Sequence, residues 1–291
     1  MKRFLLPVLL GALFITSCKK DDKPQEVVQI QQIDTDNGAK FHFTYNDNNQ
    51  VTKMEVSYQT IPVGYINFNY NNGLPVSAES YYKEALDQDF KLETGFKFAT
   101  SGQNIAYAAM VDYNADGSID EESRDTTYFS FNSANRIASI KYGFNNDPFT
   151  IGWDNNNNLK LTTVTETNGD YRYTTSYEHS YDNNVNPFRY GLGAMILAIE
   201  FYELETADQI WSANNSLSMK TTQKNERMGN GQVLGTSYRY DNTTRSFTLD
   251  ENGLPKTCKL IRATKLVSES GSEDNDSYET TFTYTCVKKQ L

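Results

Sequence analysis

Apolar and polar residues alternate along most of this chain, and tracts rich in Asn, Asp and Gly interrupt the alternation at intervals. Phe41-His42-Phe43-Thr44-Tyr45 runs into Asn46-Asp47-Asn48-Asn49-Gln50 and restarts at Val51. Ile66-Asn67-Phe68-Asn69-Tyr70 runs into Asn71-Asn72-Gly73-Leu74-Pro75 and restarts at Val76. Phe129–Phe131, Ile151–Trp153 and Phe247–Leu249 behave alike, restarting at Ile137, Leu159 and Leu254, while Tyr177–Tyr181 leads into Asp182-Asn183-Asn184. Period-two alternation flanking such tracts is a β-hairpin pattern. Asn, Asp and Gly belong there because tight hairpin turns need positive φ. Recurrence at roughly 20–25 residues marks a repeat whose single unit cannot bury its own aromatic face. The chain is therefore predicted to be all-β: an antiparallel meander of repeated hairpins, stacked edge to edge in an extended or curled sheet.

Two segments break this pattern. Leu192, Met195, Ile196, Ile199 and Tyr202 fall on one helical face, predicting one short helix near 191–204 that covers a sheet face or edge. Residues 223–235 show no alternation and read as a mobile loop.

The N-terminus has different physics. Lys2 and Arg3 precede an apolar run from Phe4 to Ile15, followed by Thr16-Ser17-Cys18 and the polar Lys19-Lys20-Asp21-Asp22-Lys23. The apolar run falls short of the about 20 residues a bilayer span needs, and the layout is that of a signal peptide, residues 1–17. Ile15-Thr16-Ser17-Cys18 resembles the lipobox of bacterial lipoproteins. That resemblance implies that Cys18 is acylated, becomes the mature N-terminus, and ties the chain to a membrane. The charged run after it resembles the export signal of surface-exposed Bacteroidota lipoproteins, which implies the outer face of the outer membrane. Residues 18–30 then read as a polar tether, and 31–291 as a single repeat domain.

Charge narrows the list of partners. The net charge is −10, and the leader removes two of the positive charges. A body this acidic repels phosphate backbones and anionic headgroups, so nucleic acid is excluded and only the lipid would hold the membrane. The 20 Tyr and 16 Phe suit strands. Of three cysteines, lipid accounts for Cys18 and leaves Cys258 and Cys286. Both lie in strand-like runs around the acidic stretch 268–277. A hairpin centred on residue 272 would face them, and an oxidising compartment would preserve a disulfide worth on the order of 3–4 kcal/mol.

Tyr45-Asn46, Tyr70-Asn71, Tyr113-Asn114, Trp153-Asp154 and Tyr181-Asp182 resemble, in degenerate form, the YD repeats of Rhs-type proteins. The chain is similar above all to uncharacterised Bacteroidota lipoproteins built from such repeats. The resemblance implies a fold style over residues 30–190 and 235–287, without an activity.

Candidate chemistry is sparse. Asp112, Asn114, Asp116, Ser118 and Asp120 stand at alternate positions around Gly117, resembling the calcium loop of EF-hands, although Ser123 occupies the place of the bidentate acid. The same residues superpose on the turn beginning at Tyr45, so turn chemistry explains them equally well. His42 and His179 are the only histidines and lie far apart. No Gly-x-Ser-x-Gly motif or phosphate-binding glycine loop occurs. Tyr171, Tyr173, Tyr177, His179 and Tyr181 would share one strand face, as core or as a platform for sugar rings.

The resulting expectation is a lipid-anchored, non-enzymatic binding or scaffolding protein without a cofactor, its partner a glycan or another envelope protein. A calcium-stabilised glycan-binding protein and a carboxylate-dependent glycan hydrolase stay open as alternatives.

Overall fold

The structure is a computed structural model that describes residues 26–83, 88–102, 104–114, 116–134, 136–142, 149–161, 163–189 and 212–290. The strands, in chain order, are β1 (Glu26–Thr35), β2 (Ala39–Tyr45), β3 (Val51–Tyr58), β4 (Ile61–Asn71), β5 (Leu74–Tyr82) and β6 (Lys91–Ser101). There follow β7 (Asn104–Tyr113), β8 (Ile119–Phe131), β9 (Ile137–Tyr142), β10 (Phe149–Trp153), β11 (Leu159–Leu161) and β12 (Val164–Asn168). The last are β13 (Tyr171–Val185), β14 (Asn214–Gly229), β15 (Gln232–Leu249), β16 (Pro255–Val267) and β17 (Glu273–Gln290).

All belong to one sheet, as the alternation predicts. Antiparallel ladders join sequence neighbours from β1 to β11 and again from β12 to β17. A further ladder joins the two ends of the meander, running from Glu26↔Gln290 to Thr35↔Phe282. β1 therefore has β17 on one side and β2 on the other. Among the described residues the sheet does not close. Between β11 and β12 each piece pairs on one side only, β11 with β10 and β12 with β13. Across that opening the Tyr181 hydroxyl donates to the Leu159 carbonyl at 2.6 Å, and the Leu159 N–H donates to Ser212 Oγ at 2.9 Å.

The turns explain the repeat. At Asn46–Gln50, Asn114–Ser118, Asn132–Arg136, Asp154–Asn158, Asp250–Leu254 and Ser268–Ser272, the first N–H donates to the fifth carbonyl at 2.8–2.9 Å. In the turns that start at Asn46, Asn132, Asp154 and Asp250, the first side chain also accepts the N–H groups of the third and fifth residues at 2.8–3.1 Å. The first position thus calls for a short side-chain acceptor, and the fourth for positive φ: Asn49 at 60°, Asn157 at 65° and Gly253 at 75°.

At four places the aromatic residue before a turn tract has its own task. Tyr45 donates to the Ile30 carbonyl, Tyr70 to Val51, Trp153 to Ile137 and Tyr181 to Leu159, all at 2.6–2.9 Å. Three of these acceptors, Val51, Ile137 and Leu159, are the apolar residues that restart a strand after the preceding turn. Each of these four rings is thereby half-buried while its polar atom is satisfied by the sheet. Burial pushes the Tyr70 hydroxyl up to about 12 and raises that of Tyr45 as well.

Inward residues form two apolar clusters. The larger joins Ile30, Ile33, Phe43, Val51, Met54, Phe68, Phe96, Phe188 and Tyr284; the other joins Ile137, Ile140, Ile151, Leu159 and Leu161. Val27, Val28 and Ile30 are buried, so the expected tether at 18–30 gives way to strand from Glu26 onward. Consecutive burial of Val27, Val28, Gln29 and Ile30 overrides the polar reading of this Gln-rich stretch.

Residues 223–235 are likewise not a loop. They complete β14, turn at Asn230-Gly231 (φ 50° and 76°) and open β15. Here β13 to β17 run past the β1–β2 turn, and buried positions there are polar, Asp241 and Thr243 among them, so the apolar signal fades. The helix expected near 191–204 lies outside the described residues. Among the described residues the only helical turn is the 3-10 segment Pro187–Arg189.

Candidate binding surfaces

Cys18 lies outside the described residues. The other cysteines do not meet. The β16–β17 turn spans Ser268–Ser272, so Cys258 stands opposite Phe282 and Cys286 opposite Ile30. Cys286 is four residues further along β17, roughly 13 Å at the usual strand rise, beyond the reach of a disulfide. Both thiols are free. The expected pairing fails because Glu273–Ser277 are strand, which moves the hairpin centre from residue 272 to 270. Burial pushes the Cys258 thiol up to about 11, against the nearby Arg245 and the Tyr284 hydrogen bond. Burial, with the charge of Asp250, pushes Cys286 up to about 12. Ellman's reagent at pH 8 should therefore find neither thiol in the native protein and both after unreduced unfolding; their absence after unfolding would restore the disulfide.

The loop resembling a calcium site is a hairpin turn. Asp112 and Asp120 face each other across the β7–β8 ladder. Asp116 accepts the Ser118 N–H at 2.9 Å and its hydroxyl at 2.6 Å, while the Asn114 amide donates to Ser118 Oγ at 3.0 Å. Those Ser118 hydrogen bonds hold the Asp116 carboxyl below its ordinary value. Asn114, Asp116 and Ser118 thus bond one another. Among the described residues no three of His, Cys, Asp and Glu converge on a metal position.

The aromatic stripe does share one face of β13. Ring centroids are 6.2 Å apart for Tyr171–Tyr173, 6.4 Å for Tyr177–His179 and 6.2 Å for His179–Tyr181. The stripe changes character along its length: Tyr181 and Tyr177 pack inward at the core, while Tyr171 is 43% exposed.

Further along the same inward face, β15 and β16 carry a polar cluster that no local motif announces. Asp241, only 5% exposed, receives Arg239 Nε at 2.7 Å and Thr264 Oγ1 at 2.6 Å, with Arg262 at 3.6 Å. Burial works to raise the Asp241 pKa, but these hydrogen bonds and the two guanidinium charges outweigh it and hold the group low. A glycosidase acid requires a carboxyl whose pKa is raised; Asp241 is held in the opposite state.

The outward face carries ion pairs on many of its strands, beside aromatic pairs such as Tyr65–Tyr81 and Tyr107–Tyr128. Lys53–Glu55, Lys97–Glu79, Arg172–Glu226, Lys224–Glu226, Lys259–Glu279 and Lys265–Glu273 pair across it at 2.6–3.7 Å. A lipid-facing strand would carry apolar residues at these positions, and each Lys or Arg at a bilayer midplane costs about 2–4 kcal/mol. On the same face β15, β16 and β17 form a groove of about 570 Å³, lined by Tyr240, Asn242, Ala263, Lys265, Asn275 and Ser277 among others.

No family model matches the chain, and no curated protein matches it. A solved structure similar to it is that of a porin-like protein from Bacteroides uniformis ATCC 8492, with a TM-score of 0.47 and 11% sequence identity over 89% of this chain and 98% of that one. At that TM-score the likeness assigns neither a pore nor a role to this chain. Among the described residues no helix is long and apolar enough to cross a membrane, which says nothing of strands.

Proposed function

We propose that this chain is a lipid-anchored protein of the cell envelope, held at the outer membrane surface through Cys18, whose β-meander stands in water as a non-enzymatic binding or scaffolding module. The observation that supports this best is the outward face. Its Lys–Glu ladders leave the strands that bear them without a lipid-compatible belt. With an acidic body and ion pairs along its outward strands, membrane attachment falls to the acyl chains, which contribute about 0.8 kcal/mol per buried methylene. The inward face supports the binding role, because its aromatic stripe runs from the core out to an exposed ring.

Expression of Cys18→Ala in a bacterial host that processes lipoproteins tests the anchor. The wild type should sediment with membranes and need detergent for release, whereas the variant should appear in the soluble envelope fraction. A variant that stays in the membrane pellet through high salt and alkaline washing would overturn the reading in favour of strands that enter the bilayer.

A further inference from the structure

We propose that the outward groove over β15, β16 and β17 is a binding site for neutral carbohydrate, with Tyr240 as its stacking platform. The inference rests on the water-exposed body proposed above and is independent of the anchor.

The register builds the groove. Asn242, Ala263 and Ser277 stand side by side across three strands, and Tyr240, Lys265 and Asn275 form the adjacent row. Ala263 and Ser277 are short, so the surface dips between the larger residues of the neighbouring row. Tyr240 is 38% exposed, a costly place for a ring with no covering partner. It lies nearly parallel to Tyr238, with centroids 6.0 Å apart and planes at 14°, and the two rings make a flat apolar strip. Beside the strip stand two exposed amides, Asn242 and Asn275, each offering donors and an acceptor.

Charge narrows the ligand class. Lys265 is the ammonium at the groove, and it is paired with Glu273 at 2.7 Å. Thr264 directs its hydroxyl to Asp241, away from the groove. An anion would thus find no unpaired cation among these groups and would meet the Asp276 carboxylate, which also lines the groove, while a cation would meet Lys265. A pyranose fits the remaining chemistry. Its C–H face packs on an aromatic ring, and its hydroxyls, each donor and acceptor, match the amides. A volume of about 570 Å³ falls within the ordinary range for small-ligand sites, and its shallowness suits a chain of sugars laid across the strands.

The test uses the full chain carrying Cys18→Ala, titrated calorimetrically with maltohexaose, cellohexaose, mannohexaose and xylohexaose. At least one should bind with a Kd of about 1 mM or tighter. Tyr240→Ala should weaken that binding at least tenfold, with an unchanged melting temperature showing that the fold persists. Tyr240→Phe should retain it, because the ring rather than the hydroxyl does the stacking, and Tyr171→Ala on the opposite face should leave it unaltered. Saturable binding of none of the four sugars up to about 10 mM, or equal binding by Tyr240→Ala, overturns the proposal. Loss with Tyr171→Ala and not with Tyr240→Ala would also overturn it, moving the sugar to the inward stripe.

Discussion

Replacing Ile30 with alanine should lower the free energy of unfolding by about 3–4 kcal/mol, the upper part of the usual range for a large-to-small change in a core. Ile30 is 0% exposed and sits in the larger apolar cluster. It also occupies the strand that joins the two ends of the meander, opposite Cys286, and its carbonyl accepts the Tyr45 hydroxyl at 2.8 Å. Neighbours held by ladders on both sides of β1 have little freedom to collapse into the space left behind. Urea denaturation followed by tyrosine fluorescence measures the loss, and Ile30→Val should cost about 1 kcal/mol. An alanine variant within about 1 kcal/mol of wild type would show that the β1–β17 junction does not organise the core.

Asp241→Asn should cost about 2 kcal/mol at neutral pH, the scale of hydrogen bonds to a charged group. The loss should depend on pH in a defined direction. The folded-state pKa of Asp241 is held below its ordinary value, so its ionised form contributes stability above the unfolded pKa of about 3.9. That contribution is lost as pH falls through the lower folded value. The gap between wild type and Asp241→Asn should therefore be full at neutral pH and shrink progressively below about pH 4. Melting temperatures of the two proteins from pH 7 to about pH 2 decide the matter. A gap of constant size would mean that the Arg239 and Arg262 pairing adds no ionisation-linked stability.

The sequence exposes this fold wherever one face of a strand is buried. Phe41-His42-Phe43 alternates because water is on one side only, and the turns at Asn46 and Asp250 are legible because those residues must accept two backbone N–H groups. Legibility ends where the strands outrun the core. Gln223-Lys224-Asn225-Glu226-Arg227 are polar on both faces, with Glu226 only 5% exposed, and Glu273-Asp274-Asn275-Asp276-Ser277 are exposed on both, so period two leaves no trace and each segment reads as loop. That shortfall moved the last hairpin by two residues and suggested a disulfide that the register forbids. The Asp112 loop shows the reverse difficulty, since the residue types that ligate calcium are those that close a tight turn. The inward stripe on β13 was visible as alternating tyrosines. The outward groove was not, because it depends on the cross-strand alignment of Ala263 and Ser277, which only the register reveals.

The pairing of β1 with β17 fixes a direction in the molecule. The first and last described residues, Glu26 and Gln290, are ladder partners, and Asn230-Gly231 and Ser268–Ser272 close hairpins at the other end. With eighteen residues in β17, the distance between those ends is about 60 Å at the usual strand rise. A chain held near residue 18 would stand like a post on its base, its farthest hairpin tips well clear of the surface to which the base is fixed. The inward arginine–aspartate cluster and the outward tyrosine strip lie on the part of the post beyond the larger core cluster, and under the proposed anchor they would stand at a height where large partners could approach them without crowding the membrane.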